Sequence, residues 1–240
     1  MSINRRRVRA IFRKELQEFR RNRSLVVGMS IVPVIFSIQP LITVFTLNTA
    51  ASAPLRHEHV LLYLLAIPAL VPSLVGAYSV VGERQQGTLE PVLTTPIRRE
   101  ELLLGKALAA FVPSVVVAYV VYGLFLLCVE LFAVPAVATA LIRPSDLLAQ
   151  LVFTPLLAGW SIWLSIFISS RASDVRVAQQ FATLASLPSI AVTTLLALNA
   201  ITASFPLAVV GVVVLLLLNR LGWRLVSASF DRERLITGTR

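Results

Sequence analysis

The feature that most constrains this chain is a series of apolar runs, each long enough to cross a bilayer as a helix. About 20 apolar residues span the roughly 30 Å hydrocarbon core of a membrane. With 57% hydrophobic and 14% charged residues, a 240-residue chain lacks the polar surface of a soluble domain. We therefore predict an all-α integral membrane protein with one domain over residues 1–240. Its six predicted transmembrane spans cover about 25–47, 60–82, 107–132, 147–170, 177–198 and 205–221.

The segment before the first span, residues 5–23, predicts an amphipathic helix. Arginines fill most of it, and its large apolar side chains recur at three- and four-residue spacings, which places them on one helical face. They are Val8, Ile11, Phe12, Leu16 and Phe19. Such a helix lies in the headgroup layer with its apolar face toward the lipid. It could also contact a partner protein, and its residues alone do not separate that role from a simple lipid anchor.

The distribution of positive charge predicts the orientation. The net charge of +10 could suggest nucleic acid, but the basic residues lie between the apolar runs and form no soluble basic face. Of the 22 lysines and arginines, 20 fall on one side of the predicted membrane, and Arg56 and Arg143 alone fall on the other. Positively charged loops stay in the cytoplasm, so we expect both termini and the central loop there.

The sequence carries no set of residues that predicts catalysis. It has no G-x-x-x-x-G-K-[ST] phosphate-binding loop and no Ser/His/Asp or Cys/His arrangement, so we predict a non-enzyme that binds no cofactor or metal of its own. Cys128 is the single cysteine. Both histidines, His57 and His59, flank Glu58 in a predicted outer loop, where they could chelate a metal or remain solvated polar residues.

One acid, Glu130, lies within a predicted span, near its outer end. An intramembrane carboxylate is a candidate proton or cation relay. A displacement of two or three residues would instead place Glu130 among the headgroups. The sequence leaves both interpretations open.

The longest polar interruption between the spans, residues 83–106, carries the most information. A turn at Gly87 follows the second span, and Thr95 and Pro96 suit the N-cap and first position of a short helix over residues 96–104. Arg98, Arg99, Glu100 and Glu101 are predicted on the exposed side of that helix. A compact loop of this kind could transmit force from a soluble partner, or it could be a solvated loop that helps to set the topology.

The loop sequence resembles a known family. E-R-Q-Q-G-T-L-E followed by T-P-I-R-R-E-E-L-L-L-G-K is similar to the loop of ABC transporter type-2 permeases, the membrane subunits of ATP-binding-cassette exporters. R-K-E-L in the first predicted helix and the tail around Phe230 resemble the same family. The loop residues that match its pattern are Glu83, Gly87, Thr88, Leu89, Glu90, Pro96, Arg99, Glu101, Gly105 and Lys106.

This resemblance implies a half-transporter in a prokaryotic-type cell membrane. Two copies of the permease, or this chain with a sister permease, would flank a pathway through the lipid bilayer. Two ABC ATPase subunits, which bind ATP and Mg²⁺, would grip a coupling helix in the central loop. The matching loop residues, with Arg98, would form this contact. The resemblance does not identify the cargo.

Two other classes of function remain as alternatives. An ATP-independent secondary transporter would need midplane charges and an internal repeat, and neither is visible. A non-transporting membrane anchor or assembly factor would tolerate changes in the central loop and would bind no ATPase. Under the first hypothesis, charge reversal at Glu83 together with Glu90 should reduce ATPase binding while leaving membrane insertion intact.

Overall fold

A computed structural model describes residues 4–46, 59–87 and 97–229, and within these ranges the chain is helical with no strand. A 3-10 helix at Val60–Leu65 leads into the third α-helix. In chain order the α-helices are α1 (Arg5–Arg21), α2 (Arg23–Thr46), α3 (Ala66–Gln85), α4 (Arg99–Phe132), α5 (Pro135–Leu141), α6 (Pro144–Arg171), α7 (Val175–Ala197) and α8 (Phe205–Ser229).

Six of these elements are long and apolar enough to cross a membrane. They are α2, the 3-10 helix with α3, α4, α6, α7 and α8. The prediction of an all-α membrane protein with six spans is therefore confirmed. The interfacial position predicted for α1 and the predicted coupling helix stay predictions.

The third helix, α3, forms the centre of the bundle. In its most apolar stretch, which includes the 3-10 helix, 89% of the residues are buried inside the protein, against 6% for α8. Its main partner is α6, and it also packs on α2, α4 and α7. A membrane gives helices no hydrophobic reason to associate, so close backbone approach and interhelical hydrogen bonds must hold α3 in place.

The contact between α3 and α6 shows both the close backbone approach and the interhelical hydrogen bonds. A Cβ added at Gly76 would lie 2.0 Å from Ser165 Oγ, so glycine is required for the observed approach. Ser161 Oγ donates a hydrogen bond of 2.7 Å to the carbonyl of Ala69 on α3. The Ser169 hydroxyl donates one of 2.6 Å to the carbonyl of Ala77. A glycine on α3 and serine hydroxyls on α6 thus hold these two helices together.

The start of α4 differs from the prediction. The helix is continuous from Arg99 to Phe132, whereas a short helix from Pro96 and a separate span from 107 were expected. Arg98 is extended, with φ −74° and ψ 149°, and its N–H donates to the Glu101 carboxylate at 3.2 Å. The predicted start is wrong because Glu101 supplies the cap from inside the helix. Pro96 itself lies outside the described residues.

The first helix, α1, packs against α4. Ile11, Glu15 and Phe19 follow one another at four-residue intervals and are all buried, so they face the protein. The prediction that the apolar face of α1 lies toward the lipid is therefore wrong for Ile11 and Phe19, because α4 covers them. The α1 helix ends at Arg21, and Asn22 connects it to α2. We call the side of the bundle that carries α1, the end of α3 and the start of α4 the α1 side, and the opposite side the α5 side.

Candidate functional site

Four charged residues from three helices meet in the interior on the α1 side. They are Lys14 and Glu15 of α1, Glu83 of α3 and Lys106 of α4, and we call them the charge cluster. Lys106 is fully buried, and its ammonium lies 2.7 Å from Glu83 Oε2 and 2.9 Å from Glu15 Oε1. Its ammonium donates hydrogen bonds to Glu15 Oε1 and, at 2.8 Å, to the carbonyl of Ser79, and its contact with Glu83 Oε2 is an ion pair.

Lys14 covers the cluster on its open side. Its side chain is 44% exposed, and its ammonium lies 3.3 Å from Glu15 Oε1 and 3.2 Å from Glu18 Oε2. It also forms an ion pair with Glu83. Carboxylate oxygens of Glu15, Glu18 and Glu83 lie within 4.8 Å of one another, which is a spacing that could hold a metal ion. The Lys14 ammonium contacts all three carboxylates, so it takes the place of a cation there.

Burial and neighbouring charge perturb the cluster residues that lie outside the spans. Burial raises the pKa of Glu15 above its ordinary value; the charge on Lys106 opposes this rise, and that on Glu83 adds to it. Burial alone would lower the pKa of Lys14, but the attraction of Glu15 and Glu83 outweighs it and raises that pKa. Each ionisation depends on the others, because the groups share a poorly solvated volume.

Gly105 explains how α1 comes close enough to complete the cluster. A Cβ at this position would lie 2.5 Å from Ile11 Cγ2 and 2.7 Å from Ile11 Cβ, both well inside van der Waals contact. Without a side chain at Gly105, α1 rests directly on α4. Glu15, one helical turn after Ile11, then reaches Lys106. The adjacent glycine and lysine of the loop pattern thus serve one contact between helices.

Glu101 holds the beginning of α1. Its Oε1 accepts a 2.9 Å hydrogen bond from the Asn4 N–H, and its Oε2 lies 3.5 Å from the Arg7 guanidinium. Its side chain is buried, so the prediction that it lies on the exposed side of the loop helix is wrong. The physical reason is that the start of α1 covers it. Arg99 and Glu100 are exposed as predicted, whereas Arg98 is half-buried.

The end of α3 is fixed by a glycine turn and an arginine. Gly87 has φ +68°, a left-handed conformation that favours glycine after a helix, and its N–H donates to the Arg84 carbonyl at 3.2 Å. The Arg84 guanidinium donates to the carbonyls of Ser170 and Ala172 at 2.9 and 3.2 Å. Glu83 thus connects the end of α3 to α1 and α4, and Arg84 connects it to the end of α6.

Four predicted site residues lie outside the described residues, and the contact proposed for them stays a prediction. They are Thr88, Leu89, Glu90 and Pro96. They belong to the segment 88–96, which joins α3 to α4. The structure therefore brings Glu83 and Lys106 into the cluster, places Gly105 and Glu101 beside it, and leaves Gly87 and Arg99 exposed at the two ends of this segment.

The candidate residues on the α5 side lie apart from the cluster. Glu130 is exposed, in the last turn of α4, and whether it acts as a relay stays a prediction. His59 Nδ1 lies 2.8 Å from Asp146 Oδ1, so this ring nitrogen is engaged with a carboxylate. His57 and Glu58 are outside the described residues.

Sequence reasoning did not include Lys14, Glu15 and Arg84 among the site residues. Glu15 carried a detectable signal, because it occupies the buried face of α1 between Ile11 and Phe19. A single acid within an otherwise apolar helical face predicts a buried partner. Arg84 carried no such signal, because an arginine just beyond the end of a membrane span is common.

The fold and the cluster together define a class, that of multi-pass helical membrane proteins with a buried ionic junction on one side. The chain belongs to the family described as ABC-2 family transporter protein, whose family model matches residues 9–230. The resemblance seen in the loop is therefore confirmed over nearly the whole chain. A search of curated proteins found no match. Membership gives the chain a permease role in membrane transport.

Proposed function

We propose that this chain is the permease subunit of an ATP-driven ABC exporter. It forms the translocation pathway with a second copy or a sister permease, and two ABC ATPase subunits that bind ATP and Mg²⁺ drive it. Both termini and the segment 88–96 face the cytoplasm of a prokaryotic-type cell. The placement of 20 of 22 positive charges on that side supports this orientation.

The observation that carries this proposal is that the charge cluster joins the two helices, α3 and α4, between which the segment 88–96 lies. Glu83 lies five residues before this segment and Lys106 ten residues after it, and their side chains are 2.7 Å apart. Breaking a buried ion pair leaves an uncompensated charge, which is strongly unfavourable. A force on the segment is therefore transmitted to α1, α3 and α4 together.

The central position of α3 extends this effect to the rest of the bundle. The helix that ends in the cluster also packs on α2, α6 and α7. A partner can change the bundle only if it contacts its two conformations differently. An ATPase that grips the segment 88–96 in both states, while its own shape changes with ATP, meets this condition.

The predicted site residues divide into two roles under this proposal. Glu83, Glu101, Gly105 and Lys106 are buried and hold the base of the segment. Gly87 and Arg99 are exposed and contact the ATPase with Thr88, Leu89, Glu90 and Pro96, while Arg98 caps α4 beside them. Glu83 is therefore a poor position for charge reversal, because any effect on the ATPase would be mixed with loss of the cluster.

The test is recovery of an ABC ATPase with the tagged full-length chain. The chain is purified from its native membranes in mild detergent, and Walker-motif peptides are quantified by mass spectrometry. The variant E90K/R99E should reduce ATPase recovery by about tenfold, equivalent to roughly 1.4 kcal/mol of binding. Electrostatic contacts of this kind set orientation as well as affinity.

The matched control is R220E/R224E, which reverses two exposed charges on α8. This variant should recover as much ATPase as the wild type. Equal recovery from E90K/R99E and wild type would contradict the proposed contact. Failure of the wild-type chain to recover any ABC ATPase would contradict the ATP-driven mechanism itself.

A further inference from the structure

One face of α6 carries a polar side chain at almost every turn, and two of these behave differently from the rest. Ser161, Ser165 and Ser169 each donate to a backbone carbonyl. Gln150 and Thr154 lie on the same face, nearer the α5 side, and are 1% and 0% exposed. Within the described ranges, neither the Gln150 amide nor the Thr154 hydroxyl has a hydrogen-bond partner.

The buried face of α4 carries two more such groups. Ser114 and Tyr122 are buried, and their hydroxyls also lack a partner among the described residues. The Tyr119 hydroxyl donates to the carbonyl of Leu151 at 2.8 Å, which fixes the register between α4 and α6. The two helices run in opposite directions, so Tyr122 lies near the level of Gln150, and Ser114 near that of Thr154.

These groups require partners because a polar atom buried without a hydrogen bond is strongly unfavourable in a membrane interior. Each of the four side chains both donates and accepts, and none carries a formal charge. Asp146, which lies one helical turn before Gln150 on α6, is already bonded to His59. A neutral set of donors and acceptors is complementary to neutral O–H and N–H groups.

We propose that Ser114, Tyr122, Gln150 and Thr154 form a hydrated polar site between α4 and α6. The site binds neutral hydroxyl or amide groups through hydrogen bonds, and water is its simplest occupant. The same chemistry suits a hydroxyl-bearing cargo, and this last step rests on the transport function proposed above. Ser161, Ser165 and Ser169 lie nearer the α1 side than these four residues and do not contribute to the site.

The direct test is the reactivity of introduced thiols toward a small, water-soluble methanethiosulfonate reagent. In a C128A background of the full-length protein, T154C and S114C are compared with S161C and S165C, which occupy equally buried positions with partnered hydroxyls. Reaction requires water and an ionised thiol, so T154C and S114C should react about tenfold faster or more. Equal rates at the two pairs of positions would overturn the proposal.

A second measurement covers the case in which a cysteine variant does not fold. Thr154→Val keeps the side-chain shape and removes the hydroxyl. If that hydroxyl binds water, T154V should lower the melting temperature, as S161A should by removing the bond to Ala69. Removal of a dry, unpartnered hydroxyl would instead stabilise the protein. A melting temperature of T154V that is unchanged or raised would contradict the site.

Glycerol distinguishes the two sources of the hydroxyl group. If the site accepts a hydroxyl-bearing ligand, glycerol should slow the labelling of T154C without slowing that of Q17C, which introduces a cysteine at an exposed position of α1 outside the spans. Fast labelling without protection would support the hydrated site and overturn its role in binding a hydroxylated ligand. None of these measurements requires the ATPase, so their failure is distinct from failure of the proposed function.

Discussion

The ammonium of Lys106 lies 2.7 Å from Glu83 Oε2, and this contact joins the beginning of α4 to the end of α3 inside the protein. Glu15 of α1 reaches the same ammonium at 2.9 Å. Three helices thus share one buried cation. Four of the ten residues in the loop pattern, Glu83, Glu101, Gly105 and Lys106, are therefore buried and support the base of the segment 88–96.

Removing the central cation should destabilise the protein severely. In Lys106→Met, Glu15 and Glu83 would remain buried and would lose their main counter-charge. Breaking a buried ion pair on one side typically costs about 3–5 kcal/mol. Thermal unfolding of the detergent-solubilised protein should show a much lower midpoint than the wild type.

The control for Lys106→Met removes the charges together. In E15Q/E83Q/K106M no carboxylate is left unpaired in the cluster, and the unfolding midpoint should recover a large part of the loss. Neutral replacement of a whole buried network is often tolerated. A triple variant as unstable as Lys106→Met alone would show that packing, and not charge, explains the effect.

Gly105 should not tolerate even one methyl group. In G105A the new Cβ would lie 2.5 Å from Ile11 Cγ2 on α1, and overpacking of this kind costs about 1–3 kcal/mol. The test compares the thermal unfolding midpoints of the two variants G105A and G123A. Gly123 lies on the same helix, and a Cβ there meets no described atom within 4 Å, so G123A should stabilise by up to about 1 kcal/mol. Equal stability of the two variants would argue against the close contact of α1 with α4.

The raised pKa of Glu15 predicts a specific pH dependence. Because this pKa lies above 4.5 in the folded protein, the folded state holds a proton that the unfolded chain has released. The stability from the protonated group is fully present below pH 4.5 and is lost as the pH rises through the folded pKa. Glu15→Gln cannot ionise and should avoid this loss. Its melting temperature should therefore improve relative to wild type as the pH rises above 4.5, and a constant difference would contradict the assignment.

Glu101 should control the order of the first turn of α1. Glu101→Ala removes the acceptor for the Asn4 N–H and the partner of Arg7. Amide hydrogen exchange should become faster over Asn4–Arg9, because this turn loses its connection to α4. The peptides of α7 do not contact Glu101 and serve as the internal control. Unchanged exchange at the start of α1 would be evidence against the observed capping.

The six spans could be predicted because each apolar run is itself long enough to cross a bilayer. The charge cluster could not, since Glu15 and Lys106 are 91 residues apart and no periodicity relates them. Glu101 was placed on the wrong face because the packing of α1 against α4 does not follow from the periodicity of either helix. The seven-residue helix α5 could not be predicted in this way, because it is far too short to cross a bilayer.

The buried polar groups on α4 and α6 that lack a partner among the described residues show a different limit of prediction from sequence. Thr154 was visible in the sequence as a polar residue in a span, which fits either a pathway or a bond between helices. Ser161, on the same face, forms such a bond, whereas Thr154 has no such partner in the part of the chain that the structure describes. Only the three-dimensional positions of neighbouring carbonyls separate the two cases.

The central claim is that the cluster makes α1 and α4 move as one body when the ATPase acts. Spin-label distances in the C128A permease–ATPase complex test it directly, with labels at two exposed positions, Gln17 of α1 and Leu108 of α4. Between the nucleotide-free and vanadate-trapped states, we predict an unchanged Gln17–Leu108 distance when the cluster is intact and a changed distance in E15Q/E83Q/K106M. A shift with the intact cluster, or no shift in the triple variant, would contradict the account.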